Sequence, residues 1–306
     1  MRKLIYLLVV FVALTSIEGY TSSIAFSQQE FSEMVLALAW SPSGEILAVG
    51  RVNGLWLYDG AGKEINHLAL DMVNSIVWNP DGSQIAVYEF ATIKTYILEV
   101  PTLQIVNDEI QASGNEIDVP LAWSPDGTLL AVADQDEIIL LDTTTWRQKA
   151  ILQGHTREIG ALEFSLDGSK LASGGLDQTV RIWDVASERQ VDLITEFSDY
   201  VFDIQWNAEN TTLAIAAGSI LIWDLERDEV IAELPFYSWD IDWHDNLLAA
   251  SVQNLGVLIW NMDTREIVQT IETDFYNFSI CLTPDGQNIT YSDVDYLIQT
   301  TPIDMN

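Results

Sequence analysis

Short apolar runs recur along the chain, each about five residues long and each bounded by a turn signal. The clearest are "GLWLYD", "IKTYILE", "EIILLD", "VRIWD", "ILIWD", "VLIWN" and "YLIQT". Alternation of apolar and polar positions predicts half-buried strands, and continuous β-rich runs predict strands covered on both faces.

These runs keep a register. An aromatic or large apolar residue stands just before a turn in "WSPSG" (Trp40), "WNPDG" (Trp78), "WSPDG" (Trp123), "FSLDG" (Phe164), "WNAEN" (Trp206), "WHDN" (Trp243) and "LTPDG" (Leu282). Successive landmarks are 38, 45, 41, 42, 37 and 39 residues apart. An aliphatic–small pair follows each turn, from Leu47-Ala48 to Ile289-Thr290, seven residues after the landmark in six units and five in the unit with the shortened turn. A period near 40 with four strands per unit marks a propeller blade, which buries both faces against its neighbours while Pro-Asp-Gly pieces close the hairpins. Seven units predict an all-β, seven-bladed propeller of four-stranded antiparallel blades. After Leu297-Ile298 too little chain remains for a last outer strand. Aligning "QEFSEMVLALAW" (29–40) with "TEFSDYVFDIQW" (195–206) puts residues from about 22 to 30 in that place, so an N-terminal strand is expected to complete the last blade.

At residues 154–184 the segment "GHTREIGALEFSLDGSKLASGGLDQTVRIWD" resembles a complete repeat of the WD-repeat (WD40) β-propeller family, with "IWD" at Trp223-Asp224 and "IWN" at Trp260-Asn261 as weaker copies. The resemblance covers roughly residues 30–306. It implies a structural hydrogen-bond network of His155, Ser173, Asp177 and Trp183, in which a carboxylate orients an imidazole that bonds a hydroxyl and, through it, an indole. On paper this set looks like a catalytic Ser-His-Asp array; the family uses it as a staple. The other six units lack the Gly-His pair and are expected to rely on apolar packing. The resemblance also implies an interaction platform, with docking on the face whose loops enter the innermost strands, and it leaves the partner open.

Composition adds an N-terminal feature. Arg2 and Lys3 precede "LIYLLVVFVAL", and the apolar run ends at Glu18, short of the roughly 20 residues a spanning helix needs. Residues 1–25 therefore read as a signal peptide, with a boundary between 19 and 27, ahead of one propeller domain at 26–306. The expectation is export to the periplasm or outside the cell, or a membrane anchor if the segment is not cleaved. Sequons at Asn210, Asn277 and Asn288 matter only in a glycosylating pathway. The single cysteine, Cys281, permits no internal disulfide and reads as a small buried thiol.

Charge then narrows the partners. With 13 Lys+Arg against 46 Asp+Glu the formal net charge is −33, a field that repels phosphate backbones and anionic lipid heads. A monomer binding a protein or basic peptide is expected, without nucleic acid or, once the signal is gone, membrane. There is no His-Glu-x-x-His, Cys-x-x-Cys pair, Gly-x-Ser-x-Gly elbow or phosphate-cradling loop. His155, His244 and His67 fall on opposite faces and an outer strand, too dispersed to share a metal. No enzyme activity and no cofactor are expected.

Two constellations remain. Asp203 and Asp240 share a register on the innermost strands of units five and six, with Glu163 and Asp242 one step away, so four carboxylates near the channel are candidates for holding a cation such as calcium or for acid–base work. The alternative is a water-filled channel whose walls tolerate charge. The loops "SDYVF", "FYSWD" and "DFYNF" offer Asp199, Tyr200, Tyr237, Trp239, Asp240, Phe275 and Tyr276 for binding a basic peptide by cation–π contact and charge pairing. The alternative is that aromatics here, Phe236 and Phe278 especially, fill gaps between blades.

Overall fold

Because each strand runs into a tight turn, consecutive strands pair with one another and the chain meanders outward seven times. The computed structural model describes residues 33–111, 119–195, 197–273, 279–292 and 297–304. Among these, six sheets have four strands and the seventh has three, all paired in sequence order and antiparallel. The innermost strands are Val35–Trp40, Val73–Trp78, Leu121–Trp123, Ile159–Phe164, Asp203–Trp206, Ser238–His244 and Ile280–Leu282. Each packs against the next and the last packs against the first, so the sheets form a closed seven-bladed β-propeller. The expected signal segment and the N-terminal closing strand lie outside the described residues.

The repeated landmarks have separate physical tasks. The aliphatic–small pair occupies the second strand of each blade, which has strand neighbours on both edges and blades on both faces; Leu171, Ala172, Leu213, Ala214, Leu248 and Ala249 are all fully buried. Each buried Leu or Ile there contributes about 1.5–3 kcal/mol relative to exposure. Three of the landmark tryptophans stitch blades together, while Trp123 and Trp243 bond the turns of their own blades: Trp78 Nε1 donates to the Ala39 carbonyl at 3.0 Å and Trp206 Nε1 to the Glu163 carbonyl at 3.1 Å. Trp40 Nε1 donates to Thr290 Oγ1 at 2.9 Å, across the closure between blades seven and one. That hydroxyl explains why the last unit carries Ile-Thr where the others carry an Ala.

The turns after the inner strands form a belt on one face. In five of them a glycine takes a φ between 65° and 74°, a left-handed conformation that costs other residues about 1–2 kcal/mol. Gly44 lies against Pro284, Gly82 against Pro42, Gly127 against Pro80 and Gly168 against Pro125, each proline coming from the preceding blade. Between blades four and five the Leu166 N–H bonds Asn210 Oδ1 at 2.6 Å, and between six and seven His244 lies against Gly286. The Pro-Asp-Gly repeat is thus an interblade contact as well as turn chemistry. In blades one to six the outermost strand carries a β-bulge, as at Val191 opposite Ile182/Trp183, a device that increases the local twist of an edge. Cys281 is buried and free, and its burial pushes the thiol well above its usual range.

Candidate functional site

Blade four holds one continuous polar chain. His155, in the loop entering the blade, places Nδ1 3.0 Å from Asp177 Oδ1 and Nε2 2.8 Å from Ser173 Oγ. Trp183 Nε1 donates to the same Ser173 Oγ at 2.8 Å. Burial alone would raise the Asp177 carboxyl, but hydrogen bonds from His155, the Thr156 N–H and Thr179 outweigh it and hold that carboxyl far below the usual range. The side chains of His155 and Ser173 are sealed from solvent, so no substrate reaches the hydroxyl. Blade two does not rely on apolar packing alone. Its buried Glu89 accepts the Asp71 N–H at 2.7 Å and the hydroxyls of Thr92 and Tyr96, tying the loop before the blade to the hairpin inside it.

The channel carboxylates form a second system. An innermost strand has no strand neighbour on its axial side, so alternate N–H groups there point away from their own sheet. Four are capped by acids of the preceding blade: Trp206 N–H by Glu163 at 2.6 Å, Ile241 N–H by Asp203 at 2.9 Å, Ile280 N–H by Asp240 at 2.6 Å and Leu282 N–H by Asp242 at 2.6 Å. Ser279 Oγ does the same for Leu38 N–H where the ring closes. Burial raises all four acids against the pull of these amides: Glu163 and Asp240 go well above the carboxylate range, Asp203 to about 7 and Asp242 to about 6. Among the described residues no group of three or more His, Cys, Asp or Glu is placed to hold a metal ion. The acids that their shared register offered for a cation each accept a backbone N–H of the next blade, joining blades four to seven.

The third system is aromatic. Tyr200 and Phe202 of blade five meet Tyr237 and Trp239 of blade six: the ring centroids are 6.2 Å apart for Tyr200–Phe202, 5.9 Å for Phe202–Tyr237, 6.5 Å for Phe202–Trp239 and 6.1 Å for Tyr237–Trp239. All four rings are half-buried. The exposed Arg157, in the loop entering blade four, lays its guanidinium 5.0 Å from the Tyr200 ring centroid and anchors it on the Leu176 carbonyl at 3.2 Å. Burial, and then the charge of nearby Asp199, raise the Tyr237 phenol. Asp240 belongs to the channel system, and Phe236 packs on Trp260 in the core of blade six. Phe275, Tyr276 and Phe278 lie outside the described residues. Phe202 and Arg157 were missed from sequence. Phe202 shares its register with Trp239 on the neighbouring inner strand, which is the signal that would have found it.

Residues 146–184 match the family model described as WD domain, G-beta repeat. That segment contains the His155–Asp177–Ser173–Trp183 chain, and the repeat sits in a ring of seven blades. The chain is a WD40-type β-propeller. A solved chain from a crystal structure of the mitotic checkpoint complex superposes on this WD40 propeller with a TM-score of 0.76 at 21% identity, covering 93% of this chain and 95% of that one, a likeness of fold. Among curated proteins, the SIR4-interacting protein SIF2 of Saccharomyces cerevisiae is 23% identical over 68% of this chain and 42% of its own length. Meiotic fizzy-related protein 1 of Schizosaccharomyces pombe is 27% identical over 60% of this chain and 44% of its own. The WD40 propeller thus spans less than half the length of these relatives.

The relatives overturn the expectation of export. They are eukaryotic proteins named for chromatin assembly, meiosis and the anaphase-promoting complex, nuclear or cytoplasmic for the most part and not exported. A pair of cations before an apolar run is a short pattern with little information, and the run at 4–14 lies outside the described residues.

Proposed function

We propose that the chain is a non-enzymatic scaffold that binds a cation-bearing protein segment on the aromatic patch of Tyr200, Phe202, Tyr237 and Trp239. One observation carries the reading: Arg157 already rests on the Tyr200 ring, so the patch offers ring faces at guanidinium distance while Asp199 supplies a nearby carboxylate. A net charge of −33 steers cationic segments toward the molecule. Relatives whose names describe interaction with SIR4 and membership of the anaphase-promoting complex support a protein partner.

The test is fluorescence anisotropy of a labelled peptide of alternating Arg and Ala with the full chain. A Tyr237→Ala, Trp239→Ala variant should weaken binding by about 30-fold or more, the scale of one aromatic hot spot of roughly 2 kcal/mol. Binding of this peptide that is unchanged in the variant would remove the patch from the function.

A further inference from the structure

The blades differ in the charge of their outer rims. The outermost strands Glu64–Leu68, Ile105–Gln111, Glu229–Leu234 and Glu266–Ile271, in blades one, two, five and six, carry six carboxylates and no Lys or Arg. Those of blades three and four, Arg147–Gln153 and Arg189–Ile194, reverse the sign: they carry Arg147, Lys149 and Arg189 against the one acid Asp192. Six of the chain's 13 basic residues fall between positions 147 and 189. The same span holds six acids, so it is neutral in a chain with 46 acids, and the excess of cations is confined to an island on the two rim strands, three against one.

The island is continuous and open. Lys149 Nζ reaches Glu188 Oε1 at 4.0 Å across the seam between the two blades. Arg181 packs beside Gly154, just past the end of one rim strand, and its Nη1 donates to Gln190 Oε1 of the other at 2.5 Å. Exposed apolar groups lie among the cations: Ile151 is 41% exposed, Val191 56% and Leu193 42%. Among the described residues the rim strands of blades three and four pair on one edge only, so the other edge offers backbone donors and acceptors to a further strand, apart from the Leu193 N–H, which Asp192 Oδ1 accepts at 2.8 Å. Charge on an outer edge also deters unwanted pairing, and four blades achieve that with carboxylates. Two adjacent blades that switch to cations, with apolar side chains spaced between them, instead match an incoming strand of the opposite sign. At physiological salt, charges beyond about 8 Å are largely screened, so the distant acids do not cancel the island.

We propose that the adjoining outer rims of blades three and four dock an extended acidic segment of a partner protein, which adds its backbone to a rim edge and places carboxylates on Arg147, Lys149 and Arg189. This surface is separate from the aromatic patch and its occupant has the opposite charge.

The probe is a labelled, end-capped peptide of about twelve residues alternating Glu and Val, an extended pattern with charge on one face, measured by anisotropy against the full chain at low and at physiological salt. Binding should weaken with salt and fall by about tenfold or more in an Arg147→Glu, Lys149→Glu, Arg189→Glu variant, the scale of three reversed surface pairs. It should be unchanged in the Tyr237→Ala, Trp239→Ala variant, and a Lys–Val peptide should not compete. Failure of the acidic peptide to bind at low salt, or equal binding by the charge-reversed variant, overturns the proposal. Because the three positions are exposed, the variant should melt within a few degrees of the parent; if it does not, Lys149→Gln with Arg189→Gln gives the same readout at lower perturbation.

Discussion

Replacing Ser173 by Ala removes one oxygen and strands two nitrogens. Ser173 is fully buried, and its Oγ lies 2.8 Å from both His155 Nε2 and Trp183 Nε1. With a proton on His155 Nδ1 facing the Asp177 carboxylate, Nε2 accepts from the serine hydroxyl while that oxygen accepts from the indole. Ser173→Ala leaves the indole N–H and Nε2 without partners in a site sealed from solvent. Each buried polar group so orphaned costs about 1–3 kcal/mol, so the expected loss is about 2–6 kcal/mol. For a domain of this size, roughly 2–4 °C per kcal/mol converts a loss near the middle of that range to a melting point about 10 °C lower.

Blade five supplies an internal comparison. There Ile215 holds the position of Ser173, since Leu213 pairs with Trp223 as Leu171 pairs with Trp183, and Trp223 Nε1 is buried without a partner. Trp223→Phe therefore removes a polar atom that bonds nothing, and should cost clearly less than Trp183→Phe, which breaks a made bond. Combining Ser173→Ala with Trp183→Phe should cost less than the sum of the two, because the second change removes a group the first has stranded. Differential scanning calorimetry of the parent and these four variants measures all of this. A melting point for Ser173→Ala within about 2 °C of the parent would refute the staple reading.

The channel acids predict an unusual pH profile. Their folded-state values are raised, Asp203 to about 7 and Asp242 to about 6, so the folded chain holds protons that the unfolded chain releases near pH 4. Their stabilising contribution is complete below about pH 4 and is lost as pH rises toward 7. Turn acids such as Asp126 and Asp167 are held low by hydrogen bonds, and their contribution disappears only as pH falls below the ordinary carboxylate range. Melting points across about pH 3–8 should therefore peak near pH 5, and Asp240→Asn, which keeps an acceptor for the Ile280 N–H without a charge, should raise stability at the alkaline end and flatten the fall. Stability that climbs steadily to about pH 8 contradicts this. For the close packing between blades, Gly174→Ala should cost several kcal/mol, since its Cβ would lie 2.3 Å from Val201 Cγ1. Gly62→Ala, where a Cβ meets nothing within 4 Å, should cost only the left-handed strain of about 1–2 kcal/mol, and urea denaturation of the two variants beside the parent measures both.

What was legible in the sequence follows from what repeats. The landmark tryptophans and the buried aliphatic–small pairs recur because seven blades present the same environment to the chain, and the period exposes both. The staple of blade four was legible because one blade keeps all four members of a known pattern. Glu89 was not, since it does a similar tying task in blade two with different chemistry and no repeat announces it. Likewise the Pro-Asp-Gly pieces read as local turns, while the seating of a glycine against the previous blade's proline depends on a contact across some 40 residues of chain, or across the ring closure for Gly44 and Pro284. The docking patch was half legible: Tyr200, Tyr237 and Trp239 were visible as aromatics in entry loops, but Phe202, which touches three of its neighbours in the patch, sits just before a strand and is marked only by its shared register with Trp239.

The channel acids show most clearly where composition stops informing. Four carboxylates converging on an axis suggest a cation or an acid–base pair, because in water those are the tasks carboxylates perform. In this ring the inner strands are edges, and an edge carries N–H groups that water would otherwise have to satisfy. An acid one blade back accepts such an N–H at 2.6–2.9 Å and thereby joins two blades at their narrowest point. Burial raises its proton affinity, which moderates the cost of holding four acids together. The same residues that looked like a site are thus the hydrogen-bonded inner wall of blades four to seven, each carboxylate already committed to a backbone amide of the next blade.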